Sequence, residues 1–216
     1  MNTRILLAED FEILRDSLMA LLRDIPGISV VGAVENGNDV ISFLETAEVD
    51  IVLLDIEMPE MDGIEAARII KNKFKKVKII MLSMYNSYDY VKPLFELGID
   101  GYLLKNTSKK ELLQAISIVT QGGNYYTPIT KQVYEEGNKQ KSRTMSTLEA
   151  YNLSDREVQI IILITDGVST EDMSKQLSLS VHTISTHRKN VYRKTGLSSP
   201  VELTKFALEV GLIEGS

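Results

Sequence analysis

Along the first 122 residues, short apolar runs alternate with longer stretches in which apolar residues recur every three or four positions. The runs at 4–8, 29–33, 50–54, 78–82 and 101–104 are brief and almost wholly aliphatic. Such runs predict strands buried on both faces. Between them, residues 12–23, 37–47, 63–73, 87–97 and 109–121 follow a helical period. Five strand-then-helix repeats predict an α/β doubly wound five-stranded parallel sheet, with helices on both faces in right-handed crossovers. Gly122-Gly123-Asn124 is a helix-ending signal that closes this first domain, residues 1–122.

Pro93 interrupts the fourth helical stretch. It cannot donate to the Asp89 carbonyl, and an interior position would cost ~3 kcal/mol. The expectation is that this helix starts late, near Tyr90, with Pro93 in its first turn and residues 84–89 as a mobile segment.

The pattern then changes. Residues 123–150 include the polar, charged run 137–143 and read as a linker with a short helix around 130–135. From Ser154 the period is helical to the end, with breaks at Gly167, at Leu179-Ser180 and at Gly196. Ser154 and Glu157 have capping-box spacing before the apolar run 158–164. Residues 151–216 therefore predict a small all-α domain of four short helices.

Composition narrows the chemistry. The 216 residues are 44% hydrophobic and 25% charged, enough for two modest cores. The absence of cysteine excludes disulfides, thiolate metal sites and a cysteine nucleophile. The two histidines, His182 and His187, are badly spaced for a helical metal pair. No apolar run approaches membrane-spanning length, and Met1–Arg4 leads into a strand rather than a signal peptide. A cytoplasmic protein with no membrane partner is expected. Residues 1–122 hold 13 basic and 19 acidic residues, whereas 180–195 contain Arg188, Lys189, Arg193 and Lys194 and no acid. The two parts of the chain are charged for different work.

In a doubly wound sheet, ligands gather beyond the carboxyl ends of the strands. Glu9 and Asp10 follow the first predicted strand, Asp55 the third, Ser83 the fourth and Lys105 the fifth. Any one of these alone reads more simply as a helix cap or a solvated acid, and Asp10 as a cap for the next helix. Five converging positions are harder to ascribe to chance. Three carboxylates at one edge repel one another unless a cation intervenes, and a hard divalent ion such as Mg²⁺ suits oxygen ligands. The set fits phosphoryl transfer, with Asp55 as nucleophile and with Lys105 and the Ser83 hydroxyl on phosphoryl oxygens.

The stretches Leu7-Ala8-Glu9-Asp10, Leu53 to Gly63 (LLDIEMPEMDG), Met81-Leu82-Ser83 and Gly101 to Lys105 (GYLLK) resemble the receiver domain of bacterial two-component response regulators over residues 3–122. That resemblance implies that Asp55 is the phospho-acceptor. It also implies that Asp10, Asp55 and the Glu57 backbone carbonyl hold Mg²⁺, that Glu9 acts on the metal through water, and that Ser83 and Tyr102 form a switch pair. A plain strand aromatic is the simpler reading of Tyr102. Two departures stand out: the acid pair is Glu-Asp rather than Asp-Asp, and Asn106 stands where many receivers carry proline. Neither removes a needed charge.

Residues 150–214, with Leu153–Val158, Gly167-Val168-Ser169, Met173–Leu177 and Thr183–His187, resemble the LuxR-type (NarL/FixJ-type) helix-turn-helix. By that resemblance 169–177 is a scaffold helix, and 181–195 a recognition helix in the major groove, capped by Ser180 and ended by Gly196. Ile184, Val191 and the stem of Arg188 are expected inward. Thr183, Ser185, Thr186, His187, Lys189 and Arg193 are expected on DNA, although a structural role for His187 is equally open. Ser185 replaces a common lysine, and Thr170-Glu171 replaces Asn-Lys. With acids at Glu171 and Asp172, a single copy should bind DNA weakly, so dimerisation matters.

The leading expectation is a phosphorylation-controlled transcription regulator. Its expected partners are a sensor histidine kinase, promoter DNA, a second copy when phosphorylated, and RNA polymerase. The runner-up, a phosphohydrolase turning over through an aspartyl phosphate, fits less well. Such enzymes commonly need an acid/base Asp two residues after a nucleophile on the first strand, and a cap domain. Here that position is Glu57, Asp55 lies on the third strand and no cap domain is evident. A receiver acting without phosphorylation is disfavoured because all five chemical positions are filled.

Overall fold

A computed structural model describes residues 2–213, and the chain divides into two compact units, residues 1–135 and 136–216. In the first, β1 (Thr3–Ala8), α1 (Glu12–Arg23), β2 (Ile28–Val34), α2 (Gly37–Thr46), β3 (Ile51–Asp55), α3 (Gly63–Lys73), β4 (Lys78–Ser83), α4 (Tyr88–Leu97), β5 (Gly101–Leu104) and α5 (Lys109–Thr120) alternate as the periodicity predicts. The sheet is parallel throughout, in the order β2-β1-β3-β4-β5.

Alternation along each strand sorts the core into two layers. Ile5, Leu7, Ile51, Leu53, Ile80 and Leu82 pack with Leu22 of α1 and with Leu112, Ala115 and Ile116 of α5. Their neighbours Leu6, Ala8, Val52, Leu54, Ile79 and Met81 pack with α2, α3 and α4 through Val40, Ala66, Ile70 and Leu94. The strand order reverses between β1 and β3, so the carboxyl ends of these two strands open the crevice where ligands of such sheets bind.

Three local expectations change. A sixth strand, β6 (Tyr125–Tyr126), adds to the edge of β5. Strand-forming tyrosines there outweigh the turn signal that precedes them. The expected linker is instead helical over α6 (Pro128–Ala150), 23 residues long. Its many charged residues are good helix formers, Pro128 stands at the first position, and Thr127 Oγ1 accepts from the Thr130 amide (3.4 Å). Finally, α4 starts at Tyr88, not near Tyr90, which places Pro93 beyond the first turn. Ser87 opens the helix by accepting backbone bonds from Tyr90 (3.2 Å) and Val91 (3.1 Å), and Tyr90 stacks on Tyr85 with ring centroids 4.4 Å apart.

The second unit contains α7 (Asp155–Thr165), α8 (Thr170–Gln176), α9 (Val181–Thr195) and α10 (Pro200–Glu209). Ile160, Ile161, Ile164, Met173, Ile184, Val191, Leu203 and Ala207 form its core. Ser154 and Glu157 complete the capping box of α7. Ser180 caps α9 by accepting from the Thr183 amide (3.0 Å), and Gly196 ends it at φ 73°, a left-handed turn that glycine enters without strain.

Candidate functional site

The ends of β1, β3, β4 and β5 do converge. Lys105 Nζ lies 2.9 Å from Glu9 Oε1 and 2.8 Å from Asp55 Oδ2. Oxygens of Glu9, Asp10 and Asp55 lie within 4.8 Å of one another. Glu9 and Asp55 are buried and Asp10 is exposed. The ammonium neutralises only part of this charge.

Glu9 shows where the deficit lies. Its amide donates to Val34 (3.0 Å), and its Oε1 accepts from Lys105 and from the Phe11 amide (3.3 Å). Its Oε2 is buried and has no hydrogen-bond partner among the described residues. A buried, unpaired carboxylate oxygen is costly, and a cation would satisfy it. Burial pushes the pKa of Glu9 up, the Asp55 charge adds to this, and Lys105 offsets part of it. Burial likewise raises Asp55, against the pull of Lys105 and of the Ile56 and Glu57 amides. For Lys105 burial opposes the charge, yet the two carboxylates together outweigh it and hold the ammonium firmly protonated. The donor set fits a hard divalent ion.

Capping does not explain Asp10. The residue at the cap position of α1 is Phe11, and it makes no side-chain cap bond. Asp55 itself is held by close packing behind it. A Cβ added at Gly63 would fall 1.9 Å from the Asp55 carbonyl oxygen, while the Gly63 amide donates to Ile56 (2.9 Å). Only glycine lets α3 begin this near the strand end.

Ser83 is fully buried, and its Oγ accepts from the Tyr85 amide (2.9 Å). Tyr102 is also fully buried, with its hydroxyl donating to the Tyr85 carbonyl (2.7 Å). Burial pushes its phenol up to about 12, with a contact to Ser83 pulling the other way. The ring therefore occupies the inward position. Tyr85 is a residue that sequence reasoning missed. Its hydroxyl donates to Glu57 Oε1 (2.7 Å), which ties the loop after β4 to the loop after β3. Arg15, which grips the turn carrying Glu9 and Asp10, was missed as well. Hydropathy marks neither residue.

In the second unit α9 presents Ser185, Thr186, Lys189 and Arg193 to solvent, with Thr183 and His187 half-buried. Ile184 and Val191 face the core as expected. The Ser185 and Thr186 hydroxyls donate to the carbonyls of Val181 (2.9 Å) and His182 (3.0 Å), leaving their lone pairs outward. The basic stripe divides in two. Lys194 donates to the buried Glu157 carboxylate and to the Asn152 carbonyl, both at 2.6 Å, and Arg188 lies against the Met173 sulfur. Lys189 and Arg193 remain exposed on one helix face, four residues apart.

Comparison with known proteins finds a family for each of the two parts of the chain. Residues 5–117 match the response regulator receiver domain, and residues 151–207 match the LuxR family of bacterial regulatory proteins. The chain is 35% identical over 208 residues to the response regulator UvrY of Escherichia coli (strain K12), covering 96% of this chain and 94% of that protein. It is 32% identical over 215 residues to the response regulator GacA of Pseudomonas protegens, covering 99% of each. Among solved structures, the RcsB response regulator of Salmonella typhimurium superposes with a TM-score of 0.59 at 25% identity, over 95% of this chain and 97% of that one. RcsB in a DNA complex gives 0.65 at 24% identity, over 95% and 98%, a likeness of fold.

Proposed function

This chain belongs to the two-component response regulators that carry a LuxR-type DNA-binding domain, and from that premise we propose that Asp55 accepts a phosphoryl group whose presence controls promoter binding. The observation that supports this most directly is Lys105 held between Glu9 and Asp55, with one Glu9 oxygen buried and unpaired beside them.

The Asp55 carboxylate attacks the phosphorus of a phosphohistidine on a sensor kinase. The new O–P bond forms as the P–N bond breaks, and imidazole leaves. Lys105 binds a phosphoryl oxygen, and the buried Ser83 hydroxyl donates to another. Glu9 (through water), Asp10, Asp55 and the Glu57 carbonyl would hold Mg²⁺, which when bound neutralises charge shared between carboxylates and phosphoryl oxygens. Tyr102 follows Ser83 through their shared partner, Tyr85.

We take residues 1–122 as receiver, 123–150 as connecting segment and 151–216 as DNA-binding domain. The two family matches fall inside the outer limits. Phosphorylation favours a homodimer, whose two copies of α9 read promoter DNA through Thr183, Ser185, Thr186, His187, Lys189 and Arg193. The protein works in the cytoplasm with a sensor histidine kinase. Among the described residues no helix is long and apolar enough to cross a membrane.

Incubation of the full chain with acetyl phosphate and Mg²⁺ should add one hydroxylamine-sensitive phosphoryl group, absent in Asp55→Ala. Retained labelling of that variant would overturn the assignment. Footprinting on genomic DNA with and without beryllofluoride then tests the link to DNA.

A further inference from the structure

The carboxylates of Glu9 and Asp10 sit on a turn that lacks the usual means of fixing a helix start. Phe11 has no side-chain oxygen with which to cap α1, and Asp10 does not serve as its cap. The turn is held from behind. Arg15, one turn into α1, points back toward the helix N-terminus, as helical side chains do. Its Nη1 donates to the carbonyl of Glu9 at 2.9 Å and to that of Asp10 at 3.3 Å. Its Nη2 pairs with Glu35 Oε1 at 2.9 Å, just beyond β2. The guanidinium side chain is only 13% exposed.

We propose that Arg15 is a positioning residue for the cation site. By gripping the two backbone carbonyls on the far side of the turn, it keeps the Glu9 and Asp10 carboxylates aimed at Asp55. This inference rests on the acid cluster being a divalent-cation site. Arg15 touches none of the reacting groups. Two neighbouring carbonyls and a carboxylate on another loop need a forked, planar donor, which arginine supplies and lysine does not. Groups that orient metal ligands in this way commonly change metal affinity by 10- to 100-fold when removed. Glu35 is more exposed, at 63%, and steadies the guanidinium without touching the turn.

The test uses the full-length chain and Mn²⁺ alone, with the free-ion signal followed by electron paramagnetic resonance. Arg15→Met should weaken Mn²⁺ binding on the order of tenfold. Arg15→Lys should fall between it and the wild type, and Glu35→Gln should stay within about twofold of the wild type. A folded Arg15→Met chain with wild-type affinity would overturn the role of Arg15. Should that variant fail to fold, wild-type affinity in Arg15→Lys would overturn it equally. A wild-type chain that binds no Mn²⁺ would instead overturn the cation-site reading, and this inference with it.

Discussion

The Tyr102 hydroxyl donates to the backbone carbonyl of Tyr85 across 2.7 Å, so β5 is bonded to the loop that follows Ser83. The same loop residue gives its amide to Ser83 and its phenol to Glu57. One residue thus touches the hydroxyl, the ring and the rim of the site. Any movement of Ser83 must rearrange Tyr85, and Tyr102 is bonded to Tyr85 directly.

Tyr102→Phe keeps the buried ring and removes one hydrogen bond, leaving the Tyr85 carbonyl without that donor. The expected loss is about 1 kcal/mol. Tyr102→Ala also opens a cavity and should cost about 3–5 kcal/mol. Urea unfolding followed by circular dichroism separates the two. Equal losses in both variants would mean that the hydroxyl, not the ring, dominates this position.

Gly63 makes a sharper steric prediction. A methyl group there meets the Asp55 backbone oxygen at 1.9 Å, and backbone cannot step aside as a flexible side chain can. Gly63→Ala should destabilise the receiver by about 2–3 kcal/mol through overpacking, and slow acetyl-phosphate labelling of Asp55 with it. Unfolding within about 0.5 kcal/mol of the wild type would show that the start of α3 is looser than its close approach implies.

Asp100 gives the receiver an acid limit. Burial opposes its ionisation, but the Lys71 ammonium (2.6 Å), the Ile79 amide (3.0 Å) and the Lys78 ammonium (3.0 Å) outweigh it and hold the carboxyl below its ordinary range. A carboxyl depressed in the folded state stabilises that state above its unfolded pKa, and the stabilisation fades as pH falls through the folded value. Asp100→Asn should therefore cost about 2 kcal/mol at pH 7, a figure that allows for the partial exposure of both lysines. The gap from wild type should close below about pH 4. A gap independent of pH would assign the loss to packing.

The alternation of buried strands and amphipathic helices was legible because a parallel sheet covered on both faces requires aliphatic runs. The convergence of Glu9, Asp10, Asp55 and Lys105 followed from strand ends alone. Contacts made by long side chains across loops were not legible. Arg15 reaching back to Glu9, and Tyr85 reaching across to Glu57, depend on where two turns meet, and no periodicity encodes that. The helix α6 was hidden differently: its residues favour a helix, but its low apolar content resembles a linker. Pro93 misled through propensity, since α4 starts at Tyr88, two residues before the start that Pro93 suggests.

In α9 the sequence reading sets the stem of Arg188 inward and Lys189 and Arg193 outward, and it counts Lys194 only as part of the basic stripe, whereas the structure ties Lys194 to the fold. Lys194 is tied to Glu157, whose side chain is 4% exposed, and to the Asn152 carbonyl. Burial works against the Glu157 charge, but Lys194 and the Ser154 amide and hydroxyl outweigh it and keep the carboxyl ionised. Removing Lys194 strands that charge. Lys194→Met should destabilise the DNA-binding unit by about 2–4 kcal/mol while leaving the salt dependence of DNA binding unchanged among folded molecules. Among the described residues Lys189 and Arg193 have no such tie to the fold, so Lys189→Ala or Arg193→Ala should leave stability within about 0.5 kcal/mol. Each should flatten the slope of log affinity against log salt by about one, as loss of a phosphate contact does. Fluorescence anisotropy with a short duplex at several salt concentrations, run beside thermal unfolding, reads both quantities. A flatter slope for Lys194→Met, or an unchanged slope for both alanine variants, would place the DNA-facing charge elsewhere on the helix.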